Sequence, residues 1–287
     1  MRPHPLVLLP LCFALGSCWI AERAIIYRPA DDGAIDPREW GLPAQPQRIV
    51  TEDGIALSAW WIPQPDPAAP AMIVFQGRRG LRHWYAGQTR TLFERGVSLL
   101  IFQYRGYGSS DGHPTEWGLI RDGLAAYDWV RARVGDRPII LHGRSLGGAV
   151  AAQTALRRGA QGLVLESTFT SMPDMARAYT GIPGIGWVIT TQFDTLAAVQ
   201  RLELPLLIVH GAEDHFVPLE MGRTLYEAAA TRRKAFHPVQ GARHWNAYAM
   251  AGGDYGRWFD AWLDDVRGYA AAPPPVQARA EGPAWRR

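Results

Sequence analysis

The chain has 287 residues, 47% hydrophobic and 20% charged, which is the composition of a globular protein with one large domain or two small ones. This excludes a mainly disordered chain, a collagen-like fibre and a polytopic membrane protein, and two cysteines are too few for a disulfide scaffold. The net charge of +3 comes from Arg2 and from residues 271–287, which contain three arginines and one glutamate. Residues 18–270 therefore carry equal numbers of basic and acidic residues, and no nucleic-acid partner is expected.

Residues 1–20 have the layout of a bacterial export signal, in which Arg2 precedes an apolar stretch that ends in small residues. The run Leu15-Gly16-Ser17-Cys18 also resembles a lipobox, whose cysteine becomes the lipidated first residue of the mature chain. An uncleaved anchor helix and a signal that is simply removed are the alternatives. All three predict a domain in the bacterial cell envelope that faces the periplasm or the exterior. The first two attach it to the membrane through residues 1–18.

From residue 46 onward, strand-like and helix-like segments alternate. Asp53-Gly54 predicts a hairpin, and the later strands are short apolar runs typical of parallel strands buried on both faces. Strands are predicted at 47–52, 55–62, 71–75, 97–102, 138–141, 162–165, 205–209 and 234–239, and helices at 83–95, 116–134, 146–158, 218–230 and 253–267. The alternation predicts an α/β fold with a mostly parallel, doubly wound sheet, which forms one domain over residues 19–270.

Residues 168–200 are too long for an ordinary connection and are largely apolar, with Ile182, Trp187 and Phe193 among them. A connection of this length inside a domain is usually functional, so we predict a small lid over the carboxyl edge of the sheet. The alternative is an ordinary crossover helix preceded by a long loop. The tail 271–287 is rich in proline, alanine and arginine and is predicted to be disordered.

The segment Gly143-Arg144-Ser145-Leu146-Gly147 matches the pattern G-x-S-x-G. An apolar strand precedes it and a helix of small residues follows it, which is the context that a nucleophile elbow requires. The glycines permit the tight turn, and the N-terminus of the helix directs backbone amides toward an oxyanion beside the serine. The alternative is a glycine-rich strand–helix turn that contains an ordinary serine.

With these motifs the sequence resembles the α/β-hydrolase superfamily over nearly all of residues 45–268. It is most similar to the serine-aminopeptidase-like and monoacylglycerol-lipase-like branch, and within it to membrane-anchored α/β-hydrolase-domain proteins whose animal members include protein depalmitoylases. The segments that carry the resemblance are 104–108, 143–148, 166–171, 209–214 and 241–244. The resemblance implies an α/β-hydrolase fold with a Ser-Asp-His catalytic triad.

That fold requires the chain order serine, acid, histidine. Asp214 follows a predicted strand and matches the acid of the resembled family, while its neighbour Glu213 is expected to be solvated. Glu166, at another strand end, is the next candidate for the acid. His244 follows the last predicted strand and matches the histidine of the family. We therefore predict Ser145 as the nucleophile, His244 as the base and Asp214 as the acid that orients it.

In the resembled family, two backbone amides bind the oxyanion, one after the nucleophile and one in the loop after the strand 71–75. The resemblance assigns these amides to Leu146 and Arg78. The loop of the family begins His-Gly, whereas this loop begins Gln76-Gly77, a departure that leaves the backbone donor in place. Arg78 and the next residue, Arg79, either meet an anionic substrate or headgroup or form a solvated pair.

These residues predict a serine hydrolase that cleaves carboxylic esters or thioesters through an acyl-enzyme. The expected substrate is a small or lipid-like acyl compound, and no cofactor or metal is expected. A serine aminopeptidase is one alternative, but capture of a peptide N-terminus favours an acidic subsite, and Asp174 and Asp194 are the only acidic residues in 168–200. A non-catalytic binding protein on the same fold is the other, and the presence of both Ser145 and His244 argues against it.

Overall fold

The computed structural model describes residues 23–29, 36–81 and 85–269. Two predictions lie outside the described residues: the export signal or anchor of residues 1–18, with its lipidation site Cys18, and the disordered tail 271–287. Among the residues that are described, no helix is both long enough and apolar enough to cross a membrane.

Within the described residues, eight strands form one sheet in the spatial order β1-β2-β4-β3-β5-β6-β7-β8. The strands are β1 (Gln45–Val50), β2 (Ala56–Ile62), β3 (Ala71–Phe75), β4 (Ser98–Phe102), β5 (Ile139–Arg144), β6 (Gly162–Glu166), β7 (Leu206–Gly211) and β8 (Lys234–Val239). Strand β2 pairs antiparallel with β1 and β4, and the remaining neighbours are parallel. The predicted mostly parallel sheet and its N-terminal hairpin are therefore confirmed.

Helices cover both faces of the sheet. They are α1 (Tyr85–Glu94), α2 (Glu116–Val134), α3 (Leu146–Arg157), α4 (Met172–Thr180), α5 (Thr195–Val199), α6 (Leu219–Ala228), α7 (Ala247–Ala251) and α8 (Gly253–Arg267). Side chains of α1, α7 and α8 form one hydrophobic core, and those of α2, α3, α5 and α6 form the other. The five helices predicted from the sequence are all present, with ends that differ by two residues at most.

The central strands separate these two cores. All five residues of β3 are buried, and their side chains alternate between the faces. Ile73 and Phe75 belong to the core under α2 and α3, whereas Met72 and Val74 belong to the core under α1 and α8. A continuous apolar run is therefore required at this position, as in other parallel strands covered on both sides.

Strand β5 runs three residues beyond its predicted end at residue 141. Gly143 pairs with Phe75 of β3 on one side and with Leu165 of β6 on the other, so the backbone ladder continues up to Arg144. This extension carries the chain directly into Ser145. The serine consequently lies at the carboxyl edge of the sheet, where open α/β sheets bind their ligands.

A buried ion cluster joins the hairpin to this framework. The guanidinium of Arg105 lies 2.8 Å from Asp122, which is fully buried, and 2.8 Å from Asp53 in the turn between β1 and β2. The backbone amide of Arg105 also donates to Asp122 at 2.8 Å. Hydrogen bonds from Arg105 hold the pKa of Asp53 below its ordinary value. Arg105 therefore compensates the buried charge of Asp122 and ties it to the partly exposed Asp53, which Arg121 also contacts at 3.5 Å.

We expect Arg105→Met to lower the free energy of unfolding by about 3–5 kcal/mol, because the substitution leaves Asp122 buried without its partner. Arg48→Met is the matched control, since Arg48 pairs with Asp111 at the exposed surface and its loss should cost at most about 1 kcal/mol. Urea unfolding monitored by circular dichroism measures both values. Equal unfolding free energies for the two variants would show that the cluster does not stabilise the fold.

Candidate active site

Ser145 occupies the turn between β5 and α3 with φ 53° and ψ −122°, a conformation that is strained for a residue with a side chain. Helix α3 begins so close to the end of β3 that a Cβ on Gly147 would lie 2.1 Å from the Phe75 carbonyl oxygen. One on Gly143 would lie 2.4 Å from the Gly147 carbonyl oxygen. The Ser145 amide donates to the Glu166 carbonyl at 2.8 Å, which fixes the turn to β6. The segment therefore has the geometry of a nucleophile elbow.

The three residues predicted for the triad meet at this edge. The Nε2 atom of His244 lies 3.1 Å from Oγ of Ser145, and its Nδ1 atom lies 2.8 Å from Oδ2 of Asp214. The other carboxylate oxygen of Asp214 accepts hydrogen bonds from the backbone amides of Phe216 and Val217, both at 2.8 Å. Because these amides hold Oδ1, the carboxylate keeps Oδ2 directed at the histidine.

The environment of Asp214 favours its ionised form. Burial alone raises the pKa of this carboxyl group, but the hydrogen bond and charge of His244, together with the Val217 amide, lower it more, so the pKa lies below its ordinary value. The adjacent Glu213 is exposed and touches none of these groups. Of the two neighbouring acids, Asp214 is the one positioned against the histidine.

Glu166, the remaining candidate acid, belongs to a separate buried network. Its carboxylate lies 3.3 Å from Nε2 of His142 and accepts a hydrogen bond from Gln88, whose side chain also donates to the hydroxyl of Tyr255 at 2.8 Å. Burial raises the pKa of Glu166, but the charges of His142 and Arg144 lower it to below its ordinary value. None of these contacts reaches His244, so Glu166 does not occupy the acid position.

The loop after β3 passes directly beside the nucleophile, since a Cβ on Gly77 would lie 3.7 Å from that of Ser145. The Gly77 amide donates to the hydroxyl of Tyr85 at 3.2 Å. Within the described residues, the backbone amides of Arg78 and Leu146 donate to no protein acceptor. These are the two amides that the sequence predicts to bind the oxyanion.

The orientation of this loop is fixed through Arg78 rather than through Gln76. The Arg78 carbonyl accepts hydrogen bonds from the Tyr107 hydroxyl at 2.9 Å and from the Arg28 amide at 3.0 Å. Gln76, which stands where the resembled family has histidine, is buried, and its side-chain amide makes no hydrogen bond within the described part of the chain. Hydrogen bonds to Arg78, and not to the side chain of Gln76, therefore tie this loop to its described neighbours.

The two arginines of the loop have different surroundings. The Arg78 guanidinium carbon lies 4.4 Å from the ring centroid of Phe216, which in turn packs against the ring of His244 at 4.8 Å. The same guanidinium donates to the Ile25 carbonyl at 2.8 Å. Arg79 is exposed to solvent. Arg78 therefore contributes to the site, whereas Arg79 lies outside it.

A cavity of about 630 Å³ opens above Ser145 and is lined mainly by apolar groups. Much of its wall comes from residues 168–200, the segment predicted to form a lid, which contains α4, a 3₁₀ turn at Ile185–Val188 and α5. Its apolar lining includes Phe169, Met172, Met175, Ala176, Ile185 and Ile189. This arrangement can hold an apolar group next to the serine hydroxyl.

The side chain of Arg144 connects the loop that carries His244 to Tyr85. It is buried, donates to the His244 carbonyl at 3.0 Å, and lies with its guanidinium carbon 5.7 Å from the ring centroid of Tyr85. Tyr85 in turn holds the Gly77 amide. A single buried cation therefore links the nucleophile strand, the histidine loop and the loop after β3.

The family model described as serine aminopeptidase, S33, matches residues 66–196 and 185–246. The match covers more than half of the chain and includes the strand ends that carry Ser145, Asp214 and His244. The chain belongs to this S33 family. The predicted branch of the α/β-hydrolases is thereby confirmed, and its relatives and structural neighbours include hydrolases.

Relatives of this S33 protein occur in bacteria and animals. An uncharacterized protein of Mycobacterium tuberculosis is 32% identical over 230 residues, which are 79% of this chain and 81% of that protein. The lysophosphatidylserine lipase ABHD12 of Gallus gallus is 34% identical in an alignment 207 residues long that covers 61% of this chain and 54% of the lipase. This chain therefore spans about half of the animal lipase.

Solved structures confirm the fold. The esterase Pf2001 of Pyrococcus furiosus matches with a TM-score of 0.71 and 21% identity, over 83% of this chain and 97% of that one. Est1E of Butyrivibrio proteoclasticus, bound to ferulic acid, matches with a TM-score of 0.66 and 21% identity, over 77% of this chain and 99% of that one. At these identities the likeness establishes the α/β-hydrolase fold alone.

The amino-acid sequence predicted Ser145, Asp214 and His244 but not the residues that hold them in position. Phe216 had a usable signal, because an aspartate commonly binds the backbone amide two residues later. No motif includes Tyr85, Ile25 or Tyr179, whose hydroxyl donates to the Phe216 carbonyl at 3.0 Å. These three residues reach the site only through tertiary packing. Their contribution could be found only from the folded structure.

We expect Arg144→Met to lower the free energy of unfolding by about 1.5–3 kcal/mol, because it removes a hydrogen bond from a buried charged group to the His244 carbonyl. The matched control is Arg79→Met in the neighbouring loop, which should change that free energy by at most about 0.5 kcal/mol because the side chain is exposed. Urea unfolding measures both. An Arg144→Met variant as stable as Arg79→Met would exclude the linking role of Arg144.

Proposed function

We infer that this S33 protein is a serine hydrolase that cleaves carboxylic esters or thioesters carrying an apolar acyl group. Ser145 acts as the nucleophile, His244 as the general base and Asp214 as the acid that orients the base. The observation that carries this inference is the unbroken hydrogen-bonded chain from Asp214 through His244 to Ser145, which ends in a mainly apolar cavity.

The contacts of His244 define its part in the reaction. Its Nδ1 faces the Asp214 carboxylate and therefore carries the proton, which leaves Nε2 to accept the proton of the Ser145 hydroxyl as Oγ attacks the acyl carbon. The ionised Asp214 stabilises the imidazolium that results. His244 then donates this proton to the departing alcohol or thiol, and the acyl group stays on Ser145.

Water completes the cycle. His244 takes a proton from the water molecule as its oxygen attacks the acyl-enzyme, and the carboxylic acid leaves with Ser145 restored. In both halves of the reaction a negative charge develops on the acyl oxygen. The amides of Leu146 and Arg78, which have no protein acceptor among the described residues, are the donors we assign to it.

The cavity favours an acyl ester over a peptide. Its described lining contains Arg28 and Arg78 but no carboxylate that could hold a peptide amino terminus. Asp174, on the helix that forms one wall, is bound instead to Arg177 and Thr170. The lysophosphatidylserine lipase among the relatives also supports a lipid-like acyl substrate for this chain.

Ser145→Ala and His244→Ala should abolish hydrolysis of p-nitrophenyl butyrate, and Asp214→Asn should lower kcat by about 10⁴ because it disturbs the histidine tautomer. Glu213→Gln is the control, since this exposed neighbour should leave kcat unchanged. Steady-state kinetics on the four variants tests the assignment. Wild-type kcat in Asp214→Asn, or a large loss in Glu213→Gln, would move the acid elsewhere.

A second prediction concerns the acyl pocket. Ala176→Trp places a large ring in the cavity and should lower kcat/KM for p-nitrophenyl decanoate at least about tenfold relative to p-nitrophenyl acetate. Ala178→Trp, on the exposed face of the same helix, should preserve the wild-type ratio. If both variants keep that ratio, the cavity does not hold the acyl chain.

A further inference from the structure

Exposed apolar side chains concentrate around the opening of the cavity. Among the described residues, eight large apolar side chains are exposed, and five of them lie in the turn 23–26 or in residues 168–200, the two segments that form much of the cavity wall. We call these five the mouth patch: Ile25, Tyr179, Ile182, Trp187 and Val188. Ile25, Tyr179 and Val188 also line the cavity itself. Trp187 is 94% exposed, which is unusual for the largest apolar side chain. Such a concentration marks an interaction surface rather than scattered surface residues.

The same opening is positively charged. Arg28 and Arg78 line the cavity, and within the described residues neither forms an ion pair with a carboxylate. Burial, and then the nearby charges of Arg28 and Arg79, lower the pKa of Arg78. The charges of Arg28 and Arg79 therefore repel that of Arg78, and neither Arg28 nor Arg78 has an acidic partner among the described residues. An anionic surface would supply the missing charge.

The course of the chain also leads to this opening. Residues 23–26 form a helical turn, and the Ile25 carbonyl accepts a hydrogen bond from Arg78, so this turn is fixed beside the cavity. Cys18, the predicted lipidation site, precedes Arg23 by five residues. Whatever the conformation between them, five residues span at most about 18 Å. An anchor at that cysteine would therefore hold the opening close to the membrane.

We propose that the mouth patch docks on an anionic lipid bilayer, with the cavity opening toward the membrane surface. Trp187 and Tyr179 suit the interface between headgroups and acyl chains, and Ile25, Ile182 and Val188 suit the apolar side of it. In this orientation Arg28 and Arg78 face the lipid phosphates. Passage of an acyl substrate from the bilayer into the cavity rests on the proposed function, whereas the bilayer contact itself does not.

The contact is tested with the full-length protein and vesicles of phosphatidylcholine and phosphatidylglycerol that carry a doxyl-labelled lipid. The difference in tryptophan fluorescence between wild type and Trp187→Phe isolates the emission of Trp187. We expect the doxyl lipid to quench this component, and to quench it less in vesicles without phosphatidylglycerol. A Trp187 component that lipid does not quench overturns the proposal, and this reading requires no catalytic activity.

Activity gives a separate test through Trp187→Glu and Ile182→Glu, neither of which lines the cavity. Each should lower hydrolysis of a long-chain acyl ester embedded in the vesicles about tenfold and leave hydrolysis of soluble p-nitrophenyl acetate unchanged. Val50→Glu is the matched control, because Val50 is exposed to a similar degree but lies on the edge strand β1. It should leave both activities unchanged.

The remaining outcomes separate the two proposals. Ile182→Glu and Trp187→Glu proteins that act on vesicles as well as Val50→Glu would overturn the docking surface. If wild type hydrolyses neither substrate, the proposed function fails while the quenching result still decides the bilayer contact. If Trp187 becomes shielded with rising protein concentration in the absence of vesicles, the patch binds a second copy of the chain and the bilayer proposal is wrong.

Discussion

The site depends on the close approach of α3 to β5 and to the end of β3. No Cβ fits at Gly143 or Gly147, because each would lie within 2.5 Å of a backbone oxygen. This approach forces Ser145 to a positive φ, which costs roughly 1–3 kcal/mol and is repaid by the packing of strand and helix on both sides. The serine side chain is consequently displayed at the sheet edge with the helix N-terminus behind it.

The parallel sheet supplies the other groups. The carboxyl ends of β7 and β8 lie on the same edge as that of β5, so loops far apart in sequence deliver Asp214 and His244 to one place. Backbone amides hold one oxygen of Asp214, and the buried Arg144 holds the backbone of His244. The side chains of Asp214 and His244 are therefore oriented by hydrogen bonds from groups that the fold holds in place. Efficient acyl transfer requires such fixed positions.

Much of this could be predicted from the sequence. Buried strands appear as apolar runs such as 71–75, and the fold places Asp214 and His244 by chain order. The distinction between Asp214 and Glu213 came from the resemblance, and the structure adds its physical basis, burial of one and exposure of the other. The cavity could not be predicted, because its wall joins residues 25–28 to 168–200 through contacts that no local pattern records.

The central claim is that Ser145 is an activated nucleophile, and labelling with a fluorophosphonate tests it most directly. This probe reacts with a serine only when a neighbouring base removes its proton. We expect one adduct on wild-type protein, located by mass spectrometry on the peptide that contains Ser145, and no adduct on Ser145→Ala or His244→Ala. Labelling that persists in Ser145→Ala, or a folded wild-type protein that does not react, would contradict it.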